Sequence, residues 1–296
     1  MMNNLTIPAY SEQAAQAVKE RLDSLAKVPG SLGKLEELAI RLAGITGRTC
    51  PSFPQKSVVL FAADHDITLK GVSATGQEVT EIQVRNFLKG GGTINAFCRN
   101  AGASLTVVDV GIKGDVGGAE GLVRRKVVHA ARDFSEGPAM TREEALACVQ
   151  VGIDMAHEEA KKGVTLLSAG EMGIGNTTTS SAVLAVLLSA EVETVTGRGG
   201  GVTDESFLRK KAIIRQAIEV NRPDRDDPVD VLAKVGGFDL AAMCGAFLGA
   251  AATRRPVVID GFISAVAALC AVRLCPRVRD YLVPSHASFE IGYRLA

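Results

Sequence analysis

Four short apolar runs, separated by long helical stretches, constrain the fold of this chain more than any other feature. They span residues 57–63, 104–110, 164–168 and 256–259. Continuous apolar strands of this kind are typical of a parallel sheet that is buried on both faces. Helical patterns precede, separate and follow them, near residues 11–27, 31–44, 78–99, 141–161, 177–189, 204–220, 239–253 and 262–272. The alternation predicts an α/β fold with right-handed crossovers.

Polar and glycine-rich residues follow each of these four runs. They are residues 64–65, Gly111, residues 170–179 and residues 260–261. Ligands of open parallel sheets bind beyond the carboxyl ends of the strands. The sequence therefore predicts a site where these four strand ends meet.

The charge balance and the cysteines limit the partners and the compartment. The chain has 296 residues, with 33 Lys and Arg against 33 Asp and Glu, so its formal net charge is zero. This balance gives no electrostatic reason to expect nucleic acid or an acidic membrane as a partner. No apolar run is long enough for a membrane span, and no signal peptide is evident. The six cysteines form no CxxC pair and lie mostly among apolar residues, which predicts buried free thiols in a cytoplasmic protein.

The segment AGEMGIGNTTTSS, residues 169–181, directly follows a predicted strand and opens a helix. Gly173 and Gly175 allow a sharp turn and a close approach to a ligand, and Asn176 and Thr177 are suited to cap the helix. The N-terminus of a helix binds phosphate through its free N–H groups. A tight turn before a capped helix, without a ligand, is the alternative interpretation.

Two familiar nucleotide motifs fail in this segment. A P-loop requires lysine where Asn176 stands, and the dinucleotide fingerprint requires a third glycine where Thr178 stands. An oxidoreductase is therefore disfavoured, and a monophosphate site remains. Glu171 is predicted to lie in the same loop, facing ribose hydroxyls because a carboxylate repels phosphate; a solvated loop glutamate is the alternative.

The segment TGRGGG, residues 196–201, offers a second anion site. Three successive glycines leave a bare backbone that can wrap an anion. Lys210, in the helix that follows, and Arg198 are both placed to reach that anion. A surface loop without a ligand is the alternative.

Two further segments carry polar residues of less definite meaning. Asp64, His65 and Asp66 form a poor metal-ligand set, and structural hydrogen bonding by the first two is favoured. Near the chain end, Ser285-His286 and Glu290 resemble an acid–base pair. No G-x-S-x-G elbow supports a hydrolase, so a structural hydrogen bond by His286 is favoured.

Taken together, these segments resemble the nicotinate-nucleotide:dimethylbenzimidazole phosphoribosyltransferase family. The shared segments are PGSLGKLEELA (29–39), AADHDIxxxGVS (62–73), QEVT (77–80), GEMGIGNTTTSSA (170–182), TGRGGG (196–201), IDGFIS (259–264) and SHASFEIGYRLA (285–296). They occur in the family's order and cover nearly the whole chain.

The resemblance implies a Rossmann-like parallel sheet with helices on both faces. It implies a large nucleotide-binding domain over residues 45–265 and a small helical domain formed by residues 1–44 with 266–296. It also implies paired chains with sites near their interface. The implied reaction transfers phosphoribose from nicotinate mononucleotide to an aromatic base, giving an α-ribotide and nicotinate.

The resemblance also implies roles for individual residues. The nucleotide site would contain Glu171, Gly173, Gly175, Asn176, Thr177 and Thr178. The phosphate would be held by Gly199, Gly200, Gly201 and Lys210, and the incoming base would lie near Ser73 and Gln77. No cofactor or metal is implied, and no catalytic residue is assigned.

Some positions depart from the family pattern. Asp66 stands where the family usually has glycine, Gly200 where it has threonine, and Tyr293 where it has histidine. The family's general base is a glutamate in a later glycine-rich segment, and the sequence given stops at Ala296 before any such segment.

Two interpretations follow from these departures. In the favoured one, the chain is a subunit that pairs with a complete paralogue, as unlike pairs do in relatives that activate phenols. In the other, the chain is a working transferase, alone or as a homodimer, with a different base. The acceptor, whether a benzimidazole, a purine or a phenol, stays open.

Overall fold

The computed structural model describes residues 5–116 and 118–296 and is built on one parallel sheet. Its six described strands lie in the order β3-β2-β1-β4-β5-β6, and every pairing is parallel. The strands are β1 Lys56–Ala63, β2 Ala103–Gly111, β3 Leu122–Arg124, β4 Leu166–Met172, β5 Val257–Ile259 and β6 Leu282–Pro284. The prediction of an α/β, Rossmann-like sheet with helices on both faces is confirmed.

Eleven described α-helices surround the sheet, with short 3-10 turns at Asp66–Lys70, Pro276–Tyr281 and Ile291–Arg294. The helices are α1 Glu12–Asp23, α2 Lys34–Thr46, α3 Glu78–Leu88, α4 Thr93–Ala101, α5 Arg142–Lys161, α6 Asn176–Leu188, α7 Val192–Val195, α8 Asp204–Asn221, α9 Pro228–Val235, α10 Phe238–Ala252 and α11 Gly261–Leu274. None of these described helices combines the length and apolar character that crossing a membrane requires.

The central strand β1 contributes side chains to the core on both faces of the sheet, because successive side chains of a strand point to opposite faces. Val59, Phe61 and Ala63 belong to the large apolar cluster on one face. Leu60 and Ala62 belong to a smaller cluster on the other face. This two-sided burial explains why the strand is a continuous apolar run in the sequence.

Helices α5 and α10 pack in direct backbone contact on the larger face. A Cβ atom on Gly152 or on Gly245 would collide with backbone atoms of the opposite helix. The residues of α10 from Phe238 to Ala251 are all buried. The N-terminus of this helix therefore lies deep in the molecule, next to the carboxyl ends of the central strands.

Several predicted boundaries were wrong. The predicted helix over 78–99 is two helices, because residues 90–92 are three glycines, and Gly90 adopts a positive φ of 79°. The third predicted strand, 164–168, instead runs over Leu166–Met172.

Other elements had no counterpart in the prediction. Strands β3 and β6 read LVR and LVP, so an arginine or a proline ends each one after two apolar residues and neither forms an apolar run. Helix α9 lies outside every predicted helix, and its N-cap Asp227 accepts hydrogen bonds from Val229 and Asp230.

The division into two domains stays a prediction, and residues 1–4 of it lie outside the described residues. Helices α1 and α2 pack against each other through Ala14, Val18 and Ala43. In the C-terminal part of the proposed small domain, β6 pairs with β5 and thereby extends the sheet. The prediction of buried thiols holds for Cys98, Cys148, Cys244 and Cys270, whereas Cys50 is exposed and Cys275 is half-buried.

Candidate functional site

A cavity of about 340 Å³ opens at the carboxyl end of the sheet, where the sequence predicted a site. Seven of the predicted site residues line it: Ser73, Glu171, Gly173, Gly175, Asn176, Thr177 and Gly200. Val72, Met172 and Ile263 add apolar surface, and Arg198 adds a guanidinium group. The other predicted residues, Gln77, Thr178, Gly199, Gly201 and Lys210, do not line the cavity wall.

The turn between β4 and α6 depends on its two glycines. A Cβ atom on Gly173 would collide with the carbonyl oxygen of Ala63 and would lie 2.9 Å from His65 Nε2. Gly175 has a φ of +103°, in the left-handed region that other residues avoid. The turn therefore brings bare backbone into the cavity wall and begins α6 there.

The predicted caps of α6 were wrong. The N-cap is Gly175, which has no side chain to satisfy the free N–H groups of the first turn. Asn176 instead donates its side-chain amide hydrogen to the Glu171 carboxylate, and Thr177 accepts from Lys210. Thr178 is fully buried behind them. In the first turn of α6, the backbone N–H groups of Asn176 and Thr178 already donate to the carbonyl oxygens of Gly173 and Gly175, at 3.2 and 2.9 Å.

Glu171 lies on β4, not in the loop where the sequence analysis placed it. It pairs in register with Phe61 of β1, just before the strand passes into the turn. Burial and the neighbouring Asp239 carboxylate raise the pKa of Glu171 to about 8, while His65 and the hydrogen bond from Asn176 oppose that rise. Near neutral pH, this carboxyl group is therefore mostly protonated but ionises readily.

A buried pair supports the floor of the site. His65 Nε2 lies 3.1 Å from Asp239 Oδ2, and both side chains are at most 1% exposed. Burial acts to lower the pKa of His65, but the nearby acidic groups, Asp239 above all, together more than offset this and the pKa is raised. The predicted structural role of His65 agrees with this geometry, and the backbone N–H of Lys113 similarly binds Asp64 at 2.8 Å.

Lys210 lies behind the glycine loop and is 1% exposed. Its Nζ donates to Thr177 Oγ1 at 2.9 Å and to the Gly197 carbonyl oxygen at 3.1 Å. Burial lowers the pKa of Lys210 to about 8, and the charge of Glu290 partly offsets that effect. Among the described residues, no carboxylate pairs with this ammonium group within ion-pair distance. Buried charges are normally paired with an opposite charge, whereas this ammonium group is held by two neutral oxygens.

The glycine loop itself connects Lys210 to the cavity. Gly199 and Gly201 adopt positive φ angles of 62° and 88°. A Cβ atom on Gly199 would lie 2.7 Å from Thr177 Oγ1, so the loop approaches the start of α6 closely. Arg198 lines the cavity, but its guanidinium already binds Asp204 and the Val202 carbonyl oxygen.

The loop before α3 forms the opposite wall. Ser73 lines the cavity as the sequence predicted. Gln77 instead donates to Asp66 Oδ1 at 2.9 Å, and Lys113 binds the same oxygen at 2.9 Å. Asp66, which stands where the family usually has glycine, thus holds the side chain of Gln77 by a hydrogen bond.

Comparisons with known proteins agree with this site. The sequence model of a phosphoribosyltransferase family matches residues 7–296. The nicotinate-nucleotide–dimethylbenzimidazole phosphoribosyltransferase of Acetivibrio thermocellus is 50% identical over 275 residues, covering 93% of this chain and 78% of the relative. That of Geobacter sulfurreducens is 50% identical over 288 residues, covering 97% and 82%.

A solved structure gives the same result. The crystal structure of the corresponding enzyme from Thermus thermophilus superposes with a TM-score of 0.91 at 40% identity, covering 96% of this chain and 84% of that one. The chain belongs to this phosphoribosyltransferase family. The expected class, a glycosyltransferase that moves a phosphoribosyl group, is confirmed at the level of the family.

Two residues that support this site, Asp239 and Thr80, were not predicted from the sequence. Asp239 contacts His65, which lies 174 positions earlier in the sequence. Around Asp239, the sequence shows only an acidic residue that closely follows two glycines. Thr80 accepts the backbone N–H of Ile174 at 3.1 Å and so ties α3 to the glycine turn. Such long-range contacts leave no periodic pattern.

Replacing Gly173 with alanine is expected to destabilise the protein by about 1–3 kcal/mol, because the added methyl group must displace backbone of β1. Urea unfolding measures the effect. Gly170→Ala is the matched control, since a Cβ atom at Gly170 meets nothing within 4 Å. Equal unfolding free energies for the two variants would contradict the close packing of the turn.

Proposed function

We propose that this chain transfers the phosphoribosyl group of nicotinate mononucleotide to an aromatic acceptor of the dimethylbenzimidazole type. The products would be nicotinate and an α-ribotide for cobamide assembly. The observation that carries the proposal is the buried Lys210, which has no carboxylate partner among the described residues and lies behind a glycine loop at a cavity. The substrates named for the relatives from Acetivibrio and Geobacter support the choice of donor and acceptor.

The phosphate of the donor would bind at Gly199, Gly200, Gly201 and Lys210. Gly200 lines the cavity, and Lys210 supplies the charge from behind Thr177. The N-terminus of α6, whose N-cap is Gly175, adds the positive end of a helix dipole. The charge of Lys210 and the helix dipole thus favour a negatively charged phosphomonoester at this end of the cavity.

The aromatic groups would occupy the remainder of the cavity. Its volume of about 340 Å³ lies at the lower end of ordinary ligand pockets. Val72, Met172 and Ile263 offer apolar contacts to flat rings, and Ser73 lies on the loop proposed to face the acceptor. Gln77, at the other end of that loop, is held by Asp66. Asn176, Thr177 and Thr178 would complete the nucleotide site around the Gly173–Gly175 turn.

The chemistry needs one proton acceptor and little else. The acceptor nitrogen attacks the ribose carbon as the bond to the pyridinium nitrogen breaks, and the electron pair of that bond neutralises the pyridinium. Holding the two rings on opposite sides of the ribose supplies much of the rate. The acceptor then has to lose a proton, and a positioned base contributes about 10²–10⁴-fold.

Glu171 is the proposed proton acceptor. It is the single carboxyl group among the described residues that line the cavity. Its pKa of about 8 makes its ionised form a stronger base than an ordinary carboxylate. A hydrogen bond from Glu171 to a ribose hydroxyl is the competing role, and kinetics separate the two because binding changes KM whereas proton transfer changes kcat.

Pairing with a second chain of the same family is part of the proposal. Leu25, Val28, Leu32 and Leu35 of the α1–α2 region are 38%, 73%, 50% and 66% exposed. A cluster of large exposed apolar side chains marks an interaction surface. An unlike pair with a paralogue is favoured over a homodimer, and a phenol is the second acceptor class to test.

A phosphoribosyl-transfer assay tests the proposal. The purified chain is supplied with nicotinate mononucleotide and either dimethylbenzimidazole or p-cresol, alone and then mixed with a full-length paralogue. Nicotinate and the ribotide are expected in equal amounts. Product in the mixture alone would make this chain a catalytically impaired partner subunit, and no ribotide under either condition would refute the proposed function.

A further inference from the structure

We propose that Glu290 is a positioning residue that holds the glycine loop, residues 197–201, in the shape that receives the donor phosphate. The inference deepens the proposed function and rests on it. In the sequence, Glu290 resembles part of an acid–base pair with Ser285 and His286. In the structure, Ser285 Oγ and His286 Nδ1 lie 2.9 Å apart, whereas Glu290 binds the glycine loop.

The contact between Glu290 and the loop is close at two points. Glu290 Oε1 accepts the backbone N–H of Gly199 at 3.1 Å. A Cβ atom on Gly197 would collide with the same carboxylate, so glycine is required there for the approach. The carboxylate therefore lies against the loop backbone itself.

The segment that carries Glu290 is fixed at both ends. Ser285 Oγ donates to the carbonyl oxygen of Ile259 at 2.7 Å, at the end of β5. Gly292 is buried, and a Cβ atom there would lie 2.7 Å from a ring carbon of Phe262 and from the Val195 carbonyl oxygen. Glu290 thus extends from a rigid support towards the loop.

Together these contacts hold the loop from two sides. Glu290 engages the Gly199 N–H, while Lys210 engages the Gly197 carbonyl oxygen and Thr177 Oγ1. Gly200 directly follows the held residue Gly199, and it is the loop glycine that lines the cavity. The loop is consequently organised before the phosphate arrives, which lowers the entropic cost of binding.

Calorimetric binding of two ligands to Glu290→Ala tests this role. The ligands are nicotinate mononucleotide and nicotinate riboside, which lacks the phosphate. We expect about tenfold weaker binding of the mononucleotide, the size typical of losing one hydrogen bond to a charged group, with riboside binding changed less than about twofold. Glu290→Gln, which keeps an accepting oxygen, should lose less, and Phe289→Ala, an exposed neighbour, should bind as wild type.

Other outcomes separate the alternatives. Tighter mononucleotide binding by Glu290→Ala would mean that the carboxylate competes with phosphate, which overturns the positioning role. Equal losses for both ligands, or wild-type binding of both, would also overturn it. A wild-type chain that binds no mononucleotide would refute the proposed function itself. If Glu290→Ala has a lowered melting temperature, Glu290→Gln carries the test.

Discussion

Glu171→Gln is expected to lower kcat for phosphoribosyl transfer by about 10²–10⁴-fold while leaving the KM for nicotinate mononucleotide within a few-fold. The amide keeps the size of the side chain but cannot accept the acceptor's proton. Steady-state kinetics with dimethylbenzimidazole measure both constants. Glu191→Gln, at the exposed start of α7, is the control for the chemical change. A large rise in KM at unchanged kcat would instead establish the ribose-binding role.

The pH dependence of the transfer rate is a second test of Glu171 as the proton acceptor. Because burial and Asp239 raise the pKa of Glu171 to about 8, the ionised base is scarce below that value. The wild-type rate should therefore rise with pH towards about 8, and Glu171→Gln should lack this limb.

The free energy of unfolding should fall as the pH rises from 4.5 to about 8, whereas the transfer rate should rise. The folded pKa of Glu171, about 8, exceeds its ordinary value of 4.5, so the folded state binds more protons between those values. Its contribution to stability is present below pH 4.5 and is lost as the pH rises to about 8. Glu171→Gln should show a smaller decline across that window in urea unfolding.

Lys210→Met is expected to raise the KM for nicotinate mononucleotide by about a hundredfold, since truncating one member of a buried charge pair costs about 2–5 kcal/mol. Lys211→Met is the matched control because Lys211 Nζ lies over the Phe207 ring, 4.1 Å from its centroid. Kinetics with saturating acceptor measure the effect. An unchanged KM would remove Lys210 from the phosphate site.

The stability of the ligand-free variant distinguishes binding from folding. Lys210 is buried at a cost, which the lowering of its pKa to about 8 reflects. Removing the charge should therefore leave the ligand-free protein at least as stable as wild type near neutral pH. A marked loss of stability would show that Lys210 supports the fold, whatever its effect on KM.

The location of the site followed from the sequence because it depends on local signals. Apolar runs that end in polar or glycine residues predicted the carboxyl edge of a parallel sheet, and the cavity opens there. The glycines at 173 and 175 marked a turn that only small residues allow. Each of these features depends on a few adjacent residues, so it could be predicted without knowing any tertiary contact.

The rest of the site depends on contacts between distant segments. Asp239 meets His65, and Glu290 meets Gly199, across 174 and 91 positions. The position of Glu171 on β4 was missed because the glycine in AGEM reads as a loop, whereas pairing with β1 extends the strand through it. Tertiary pairing thus overrode local propensity at that position.

A crystal structure of the chain with bound nicotinate mononucleotide is the first measurement to make, because it shows where the phosphate and the ribose lie. We expect the phosphate to lie against Gly200 and the start of α6, with Lys210 behind Thr177, and the ribose and nicotinate to lie in the cavity beside Glu171. A mononucleotide bound elsewhere, or one whose phosphate points away from the glycine loop, would contradict this expectation.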